Sequence, residues 1–307
     1  MANTINLNRK NTYITIWLYL SLFLVFSLIF IGGLTRLTES GLSITSWELF
    51  SGILPPLNEK QWQNYFSLYK QIPQYKEINL GMSMAEFKYI FWWEYIHRLL
   101  ARLAALAFVL PFIYFLVKKF FSFKQIVLYS IISLLIFFQG FLGWYMVKSG
   151  LVTNTDVSHF RLSAHLLGGQ IILALIFYSI LFRNVNKIYL NFYSYLVLSF
   201  LIIVFFQIVI GAFVSGLDAA KLYQTWPLMN GYFVPEDVFI KEFLNSESYS
   251  SASHVQFLHR VVAYFTAFIF VLISGYKIYL ASLHQLGSIF LVFSIIYLFY
   301  QVSISQK

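Results

Sequence analysis

Residues Phe91–Val117 read FWWEYIHRLLARLAALAFVLPFIYFLV, and this stretch sets the fold class. Beyond Arg102 it has no charged residue, and it is long enough to supply the ~20 apolar residues that a helix needs to cross a bilayer. Its start holds four ionisable side chains, which are costly inside a membrane and are functional candidates by default. The stretch predicts a membrane-spanning helix that carries chemistry near one end.

The rest of the chain has the composition of a polytopic membrane protein. Of its 307 residues, 59% are hydrophobic and 11% are charged, whereas soluble domains carry about 25% charged residues. Cysteine is absent, which excludes disulfides, thiolate metal sites and cysteine nucleophiles. The first apolar run is long enough to span and lacks a small-residue cleavage site, so no separate cleavable signal peptide is expected.

Seven apolar runs are long enough to cross a membrane. They are Asn11–Thr35, Phe91–Val117, Gln125–Val147, Leu162–Phe182, Ile188–Leu217, His254–Tyr276 and Ile278–Gln306. Two long connections of mixed charge, residues 35–90 and 215–253, are rich in Trp, Tyr and Pro, and we expect them to fold as outer caps.

Basic residues orient these spans. The short connections hold lysines and arginines without acids, namely Arg9, Lys10, Lys118, Lys119, Lys124, Arg183, Lys187 and Lys277. By the positive-inside rule these connections are cytoplasmic, which places the N-terminus inside. The net charge of +9 is then explained by orientation in a lipid membrane, and no nucleic-acid partner is expected.

The chain also resembles itself, and such internal similarity indicates repeated structural units. The recurring elements are Gly41-Leu-Ser43, Trp47, His97-Arg98 and His165 in the first half, and Gly216-Leu-Asp218, Trp226, His259-Arg260 and His284 in the second. Two spans share the ending Phe-Phe-Gln with a glycine four residues later, at Gly143 and Gly211. The repeat predicts an all-α membrane protein of two parallel four-helix halves, residues 1–187 and 188–307.

The second half is shorter than the first. His97 and His165 lie 68 positions apart, whereas His259 and His284 lie 25 apart, a difference of about one span with its loops. The helix that would match the third span is therefore absent, which gives seven spans instead of eight. With seven crossings the last run would point outward, leaving Lys307 outside and His284 near the inner surface.

Four histidines in helices, paired by the repeat, suit a planar cofactor such as haem held between facing helices, with one site in each half. The four are His97, His165, His259 and His284. Arg98 and Arg260 each follow a candidate ligand, where they could bind haem propionates or extend to the membrane surface. Glu94 shares a helix face with His97 and Arg98, and it could pair with Arg98.

Two further histidines, His159 and His254, lie off a common helical face with the four and are interpreted as interfacial.

The motifs together resemble those of haem A synthase, of the alphaproteobacterial and mitochondrial type that lacks outer-loop cysteine pairs. The matching segments are Gly32–Ser43, Gly52–Pro56, Tyr69–Tyr75, Glu94–Arg98, Gly143–Gly150, His159–His165, Gly216–Ala219, Pro227–Met229, Gln256–Arg260 and His284–Gly287. They cover nearly the whole chain.

The resemblance implies oxidation of the C8 methyl group of haem O to a formyl group, giving haem A for cytochrome oxidase, with water as oxygen source. It implies that His97 and His165 bind the substrate haem iron and that Glu94 is the catalytic acid beside it. It implies that His259 and His284 bind a haem b that relays electrons.

The same resemblance implies a bacterial inner membrane, haem O synthase (a farnesyltransferase) and an electron acceptor as partners, and it leaves room for a homo-oligomer. The missing helix leaves three explanations open for the second half. The chain is a shortened, inactive copy, or its last segment re-enters instead of crossing, or a histidine comes from another subunit.

Other functions use the same residues differently. A cytochrome b-like electron-transfer protein would need the histidines but no acid beside one site, so Glu94 favours the synthase. A transporter could also have a parallel repeat, but transporters tend to have helices broken by Gly or Pro at the midplane, and here Pro111 is the only proline well inside a span.

Overall fold

The computed structural model describes residues 2–47, 51–151, 155–185, 187–238, 245–265 and 278–304, with side chains described from residue 10 onward except at 51, 265, 278–286, 298 and 302. Within these residues the chain is helical. The helices are α1 (Ala2–Leu37), α2 (Glu59–Tyr69), α3 (Pro73–Glu77), α4 (Met84–Val117), α5 (Phe123–Gly150), α6 (His159–Phe182), α7 (Phe192–Gly216), α8 (Ala252–Phe265) and α9 (Ile278–Ile304).

Five of the described helices are long and apolar enough to cross a membrane: α1 from Lys10, α4, α5, α6 and α7. They confirm the first five predicted spans and the expectation of a multi-pass, all-α membrane protein. The first half of the sixth predicted span is described as helix α8, and its residues 266–276 lie outside the described residues. The seventh is described as α9, whose apolar stretch is Gly287–Gln301.

Polar side chains fix where the long helices begin. Ser83 accepts the N–H of Glu86, and the Glu86 carboxylate accepts the N–H of Ser83, which forms a capping box at the start of α4. Ser122 with Gln125 forms the same box at the start of α5. These bonds satisfy backbone donors that have no partner inside the helix.

Pro111 lies inside α4 without ending it. A proline has no N–H, so the carbonyl four residues earlier, at Ala107, loses its helical partner. The indole of Trp17 on α1 donates to that carbonyl at 3.1 Å and to the carbonyl of Phe108 at 3.2 Å. Trp17 is 4% exposed and packs against four aromatic rings, so it joins α1 to α4 at the centre of the first-half core.

The described basic loop residues gather at one end of the helices, here called the basic end. Lys10 lies 5.2 Å from the ring of Phe120, in the loop between α4 and α5. Arg183, after α6, donates to the carbonyl of Asn11. The N-terminal segment, the loop between α4 and α5 and the segment after α6 therefore meet at one end, and its cytoplasmic location stays a prediction. The opposite end, where Glu94, His97 and His165 lie, is called the histidine end.

Helix α9 runs in the same direction as α6, which corrects the expectation that the last run crosses outward. Gln170 of α6 donates to Ser288 at 3.5 Å, the rings of Phe177 and Phe293 lie 4.4 Å apart, and Tyr189 donates its N–H to the carbonyl of Ser303 at 3.0 Å. The C-terminal end of α9 therefore lies at the basic end. His284, one turn before Ser288 in α9, lies toward the histidine end, and not near the inner surface as predicted.

The packing of the described helices follows the repeat. In the first half α1 contacts α4 and α6, while α5 contacts α4 and α6. In the second half α7 contacts α8 and α9, as α1 contacts α4 and α6 in the first half. Among the described residues, no helix stands in the second half where α5 stands in the first.

The first long loop folds as a cap on the histidine end, as predicted. Helix α2 packs its apolar face, with Trp62, Phe66 and Tyr69, against the start of α4 at Phe87 and Phe91. The loop after α1 is held beneath this layer by buried Leu42 and Ile44. This loop carries the polar contacts of the candidate site.

Candidate functional site

Glu94 is 3% exposed and is held by four donors at the histidine end. Its Oε2 accepts the hydroxyl of Ser43 and the backbone N–H of Ile44, both at 2.7 Å. Its Oε1 accepts Nη2 of Arg98 at 2.6 Å and Nε at 3.1 Å. The predicted ion pair of Glu94 and Arg98 is therefore present, and the same carboxylate also fixes the loop after α1.

Arg98 completes this connection from the other side. Its Nη2 donates to the carbonyl of Ile44 at 2.7 Å and its Nη1 to the carbonyl of Ser46 at 3.0 Å. We call the set of Glu94, Arg98 and the loop backbone they bind the first latch. With its guanidinium committed to these partners, Arg98 serves the loop here, and its predicted role toward haem propionates stays a prediction.

His97 lies one residue before Arg98 and packs against α1. A methyl group at Gly32 would lie 3.0 Å from Nε2 of His97 and 3.3 Å from Cδ2. Only a glycine therefore leaves room for the imidazole in this position without a shift. His97 on α4 and His165 on α6 belong to two helices that both pack against α1.

His165 has a similar setting between α5 and α6. A methyl group at Gly143 would lie 3.4 Å from its Cε1, and its Nδ1 is buried without a hydrogen-bond partner. Such orphaned buried groups are rare and call for an explanation such as a missing ligand. His97 and His165 thus share the histidine end with the latch that holds Glu94, and their pairing on one haem stays a prediction.

The second half repeats the packing of histidine on glycine. A methyl group at Gly211 on α7 would lie 3.0 Å from Cε1 of His259. Gln207, one turn earlier on α7, donates to the backbone carbonyl of His259 at 3.0 Å. His284 lies in α9, but its side chain lies outside the described residues, so its predicted pairing with His259 stays a prediction.

The second half also repeats the latch. Arg260 donates Nη2 to the carbonyl of Tyr223 at 2.6 Å and Nη1 to the carbonyl of Thr225 at 2.8 Å. Gln256 accepts the N–H of Tyr223 at 3.2 Å and donates to its carbonyl at 2.8 Å. We call this set the second latch. The two arginines bind equivalent positions of their loops. Each binds the carbonyls one and three positions before a loop tryptophan, which is Trp47 for Arg98 and Trp226 for Arg260.

The second latch is supported from the loop itself. The hydroxyl of Tyr223 donates to Asp237 at 2.7 Å, and Ser253 donates to the same carboxylate. Burial raises the pKa of Asp237, but the hydrogen bonds from Ser253 and Tyr223 lower it by more. The pKa of this carboxyl therefore lies below its usual value. These bonds to the ionised carboxylate favour an anion in the second loop.

Several functional residues were missed by the sequence interpretation. Gln256 occupies the place of Glu94, and the signal was the alignment of Gln-Phe-Leu-His-Arg with Glu-Tyr-Ile-His-Arg. Gly143 and Gly211 were noticed only as shared helix endings, although each faces a histidine. Ser43 was part of a recurring motif, but nothing in the sequence showed that its hydroxyl reaches Glu94.

His159 contacts a helix of the second half, and His254 is buried within the second half. The ring of His159 packs edge-on against Phe213 of α7 with centroids 5.4 Å apart. His254 is buried and packs against Tyr249 at 5.7 Å. His254 is 3% exposed, and the predicted interfacial position of both residues stays a prediction.

The geometry suits a planar cofactor better than a single metal ion. Within the part of the chain that the structure describes, no group of three or more His, Asp or Glu side chains could hold an ion together. The imidazoles instead lie singly on different helices, each beside a glycine, and the orphaned Nδ1 of His165 is an available donor atom. Histidine is a usual axial ligand of haem iron, so the residues present fit a haem.

Known proteins similar to this chain agree on one family. The family model for the cytochrome oxidase assembly protein COX15-CtaA matches residues 15–304. No solved structure matches the chain.

The "Heme A synthase" of Pelagibacter ubique (strain HTCC1062) is 44% identical over 97% of this chain and 99% of its own length. That alignment extends over 337 positions, more than the 307 residues of this chain, so the relative carries additional residues.

Two other relatives have the same printed name. The "Heme A synthase" of Wolbachia pipientis subsp. Culex pipiens is 45% identical over 81% of this chain and 77% of its own length. That of Nitrosospira multiformis is 44% identical over 82% of this chain and 72% of its own length. On the family match and these identities, the chain belongs to the COX15-CtaA family of cytochrome oxidase assembly proteins.

Proposed function

We propose that this chain is a haem A synthase, an oxidoreductase that converts the C8 methyl group of haem O to the formyl group of haem A. The relatives that carry this name support the reaction. The observation that supports this reaction for this chain is that His97 and His165 lie at the same end of the helices as the first latch. The first half therefore has two imidazoles and the buried carboxylate of Glu94.

In the first half, His97 and His165 would bind the iron of the substrate haem from α4 and α6. Gly32 and Gly143 leave the imidazoles room to turn toward a ligand between the helices. A bound haem would supply the redox chemistry, and the chain would hold it between the helices. Glu94 would take protons from the reacting group, since a positioned carboxylate in a buried site is suited to general base work.

In the second half, His259 and His284 would bind a haem b that relays electrons away. The direction of α9 supports this pairing, because it brings residue 284 toward the end at which His259 lies. The missing counterpart of α5 is then compatible with a second haem site, since the two ligand-bearing helices are α8 and α9. Haem b, the acceptor that follows it and water as the oxygen source belong to this proposal.

The cellular setting follows from the same proposal. The chain would lie in a bacterial inner membrane with its basic end in the cytoplasm, as the loop lysines and arginines favour. Haem O synthase would supply its substrate, and an electron acceptor would reoxidise it. A homo-oligomer is compatible with the exposed apolar faces of α4 and α5.

A second candidate function is a cytochrome b-like electron-transfer protein, which includes an inactive shortened copy of the synthase. The shortened second half favours it. The contrast between Glu94 and Gln256 argues against it, because a pure electron carrier needs no acid in one half only.

Co-expression with a haem O synthase in a host that lacks its own haem A synthase tests the proposal. Haem extracted from the membranes should contain haem A, and the same host without this chain should contain haem O alone. Spectrally detectable haem in the purified chain, together with no haem A and no hydroxylated haem O in the extract, would support the electron-transfer protein instead.

A further inference from the structure

The two latches differ in charge. In the first latch, Arg98 is paired with Glu94 at 2.6 Å. In the second latch, Gln256 replaces the acid, and a neutral amide makes the bonds to the loop backbone. In both latches this side chain accepts a backbone N–H of the loop and the arginine binds two loop carbonyls, so the replacement changes formal charge by one while the loop stays connected.

Arg260 is consequently a buried cation with no carboxylate partner among the described residues. It is 4% exposed, and within the described part of the chain no carboxylate oxygen lies within ion-pair distance of it. Two carbonyl oxygens accept from its Nη atoms, and its Nε has no acceptor. A guanidinium stays charged in proteins, so the second latch keeps a full positive charge.

That charge lies next to a proposed iron ligand, since His259 directly precedes Arg260. Both side chains are 4% exposed, and a charge in such surroundings is screened much less than one in water. A nearby cation disfavours the oxidised iron, which carries one more positive charge than the reduced iron. Charge and burial around a haem are among the means by which a protein sets its reduction potential.

We propose that Gln256 tunes the second haem site: by holding the loop with a neutral amide, it leaves Arg260 without a carboxylate partner among the described residues and raises the reduction potential of a haem bound by His259. This inference rests on the proposed function only in requiring that a haem binds in the second half. It assigns Gln256 as a positioning residue whose effect on the iron is electrostatic, acting through Arg260.

The direct test is the Gln256→Glu variant, which copies the first latch. A glutamate there can accept from the N–H of Tyr223 and from Arg260, as Glu94 does from Ile44 and Arg98. Redox titration of the purified full chain, loaded with haem b in a His97→Ala background so that the second site is observed alone, should show a lower midpoint potential than the same background with Gln256. Haem content should be unchanged.

Two further variants separate charge from structure. Arg260→Gln removes the cation itself and should also lower the reduction potential. Gln256→Leu removes the amide without adding charge, so it should change the haem content or the haem affinity more than the reduction potential. Glu94→Gln in a His259→Ala background is the matched control in the first half, where removal of the acid should raise the potential of the haem bound there.

The outcomes decide the proposal independently of the reaction. An unchanged potential in Gln256→Glu with haem retained would overturn it, as would a chain whose second half binds no haem. If Gln256→Glu fails to accumulate, the potential of Arg260→Gln decides in the same way. A lowered potential in a chain that forms no haem A would support the tuning role and reject the proposed function, so the two failures are distinguishable.

Discussion

Glu94 and Gln256 take the same place in the two halves of the chain. Each accepts the backbone N–H of the residue three positions before a loop tryptophan, at 2.7 Å for Glu94 and 3.2 Å for Gln256. The chain itself thus shows that a glutamine can hold this connection. At this equivalent place the first half has a carboxylate and the second half an amide, which fits a division between chemistry and electron transfer.

The glycines that face the histidines should be sensitive to a single methyl group. In Gly32→Ala the new methyl would lie 3.0 Å from Nε2 of His97, and overpacking of this kind costs about 1–3 kcal/mol. We expect haem binding in the first half to weaken about tenfold or more, measured by haem titration of the purified chain.

Gly140→Ala is the matched control for this variant. Gly140 also lies in a membrane helix, α5, but nothing lies within 4 Å of a methyl group there. Its haem affinity should equal that of the unchanged protein. Equal affinity in Gly32→Ala would contradict the close packing of His97 on α1.

Trp17 and Pro111 should be energetically coupled. Trp17→Phe keeps an aromatic ring but leaves the carbonyl of Ala107 without a donor, and an unsatisfied buried polar group costs about 1–3 kcal/mol. In a Pro111→Ala background the helix regains its own N–H for that carbonyl, so Trp17→Phe should cost less. Unfolding of the four proteins in detergent measures the coupling, and strictly additive effects would disprove it.

Much of the fold was readable in the sequence because apolar length and loop charge act locally. The first five spans, the cap over the histidine end and the pairing of Glu94 with Arg98 follow from run length, composition and the i,i+4 spacing. The direction of α9 did not follow, since counting spans assumes that each apolar run crosses once. Its packing beside α6, through Phe177 and Phe293, sets the direction instead.

The site was predictable in its residue types and less so in its contacts. The histidines and Glu94 stand out because ionisable groups in a span are costly. The bonds of Arg98 to the carbonyls of Ile44 and Ser46 connect residues more than 50 positions apart. The same sequence pattern would equally predict an arginine that binds a haem propionate. Such long-range backbone contacts have no local pattern.

The direction of α9 predicts the side on which the chain ends. Ser303 lies beside Tyr189 at the basic end, to which the start of α1 also belongs. A reporter enzyme fused after residue 307 should therefore be active on the same side of the membrane as one fused to the N-terminus. Activity on opposite sides would restore the outward crossing expected from seven spans.

The most direct test of the central claim is the haem composition of membranes that contain Glu94→Gln. Because Gln256 shows that an amide can keep the latch, this variant should insert, bind haem and retain its Soret absorbance at the level of the unchanged chain. Co-expressed with a haem O synthase, the unchanged chain should yield haem A and Glu94→Gln should yield haem O with little or no haem A. Equal haem A from both would contradict the assignment of Glu94 as the residue that takes the protons.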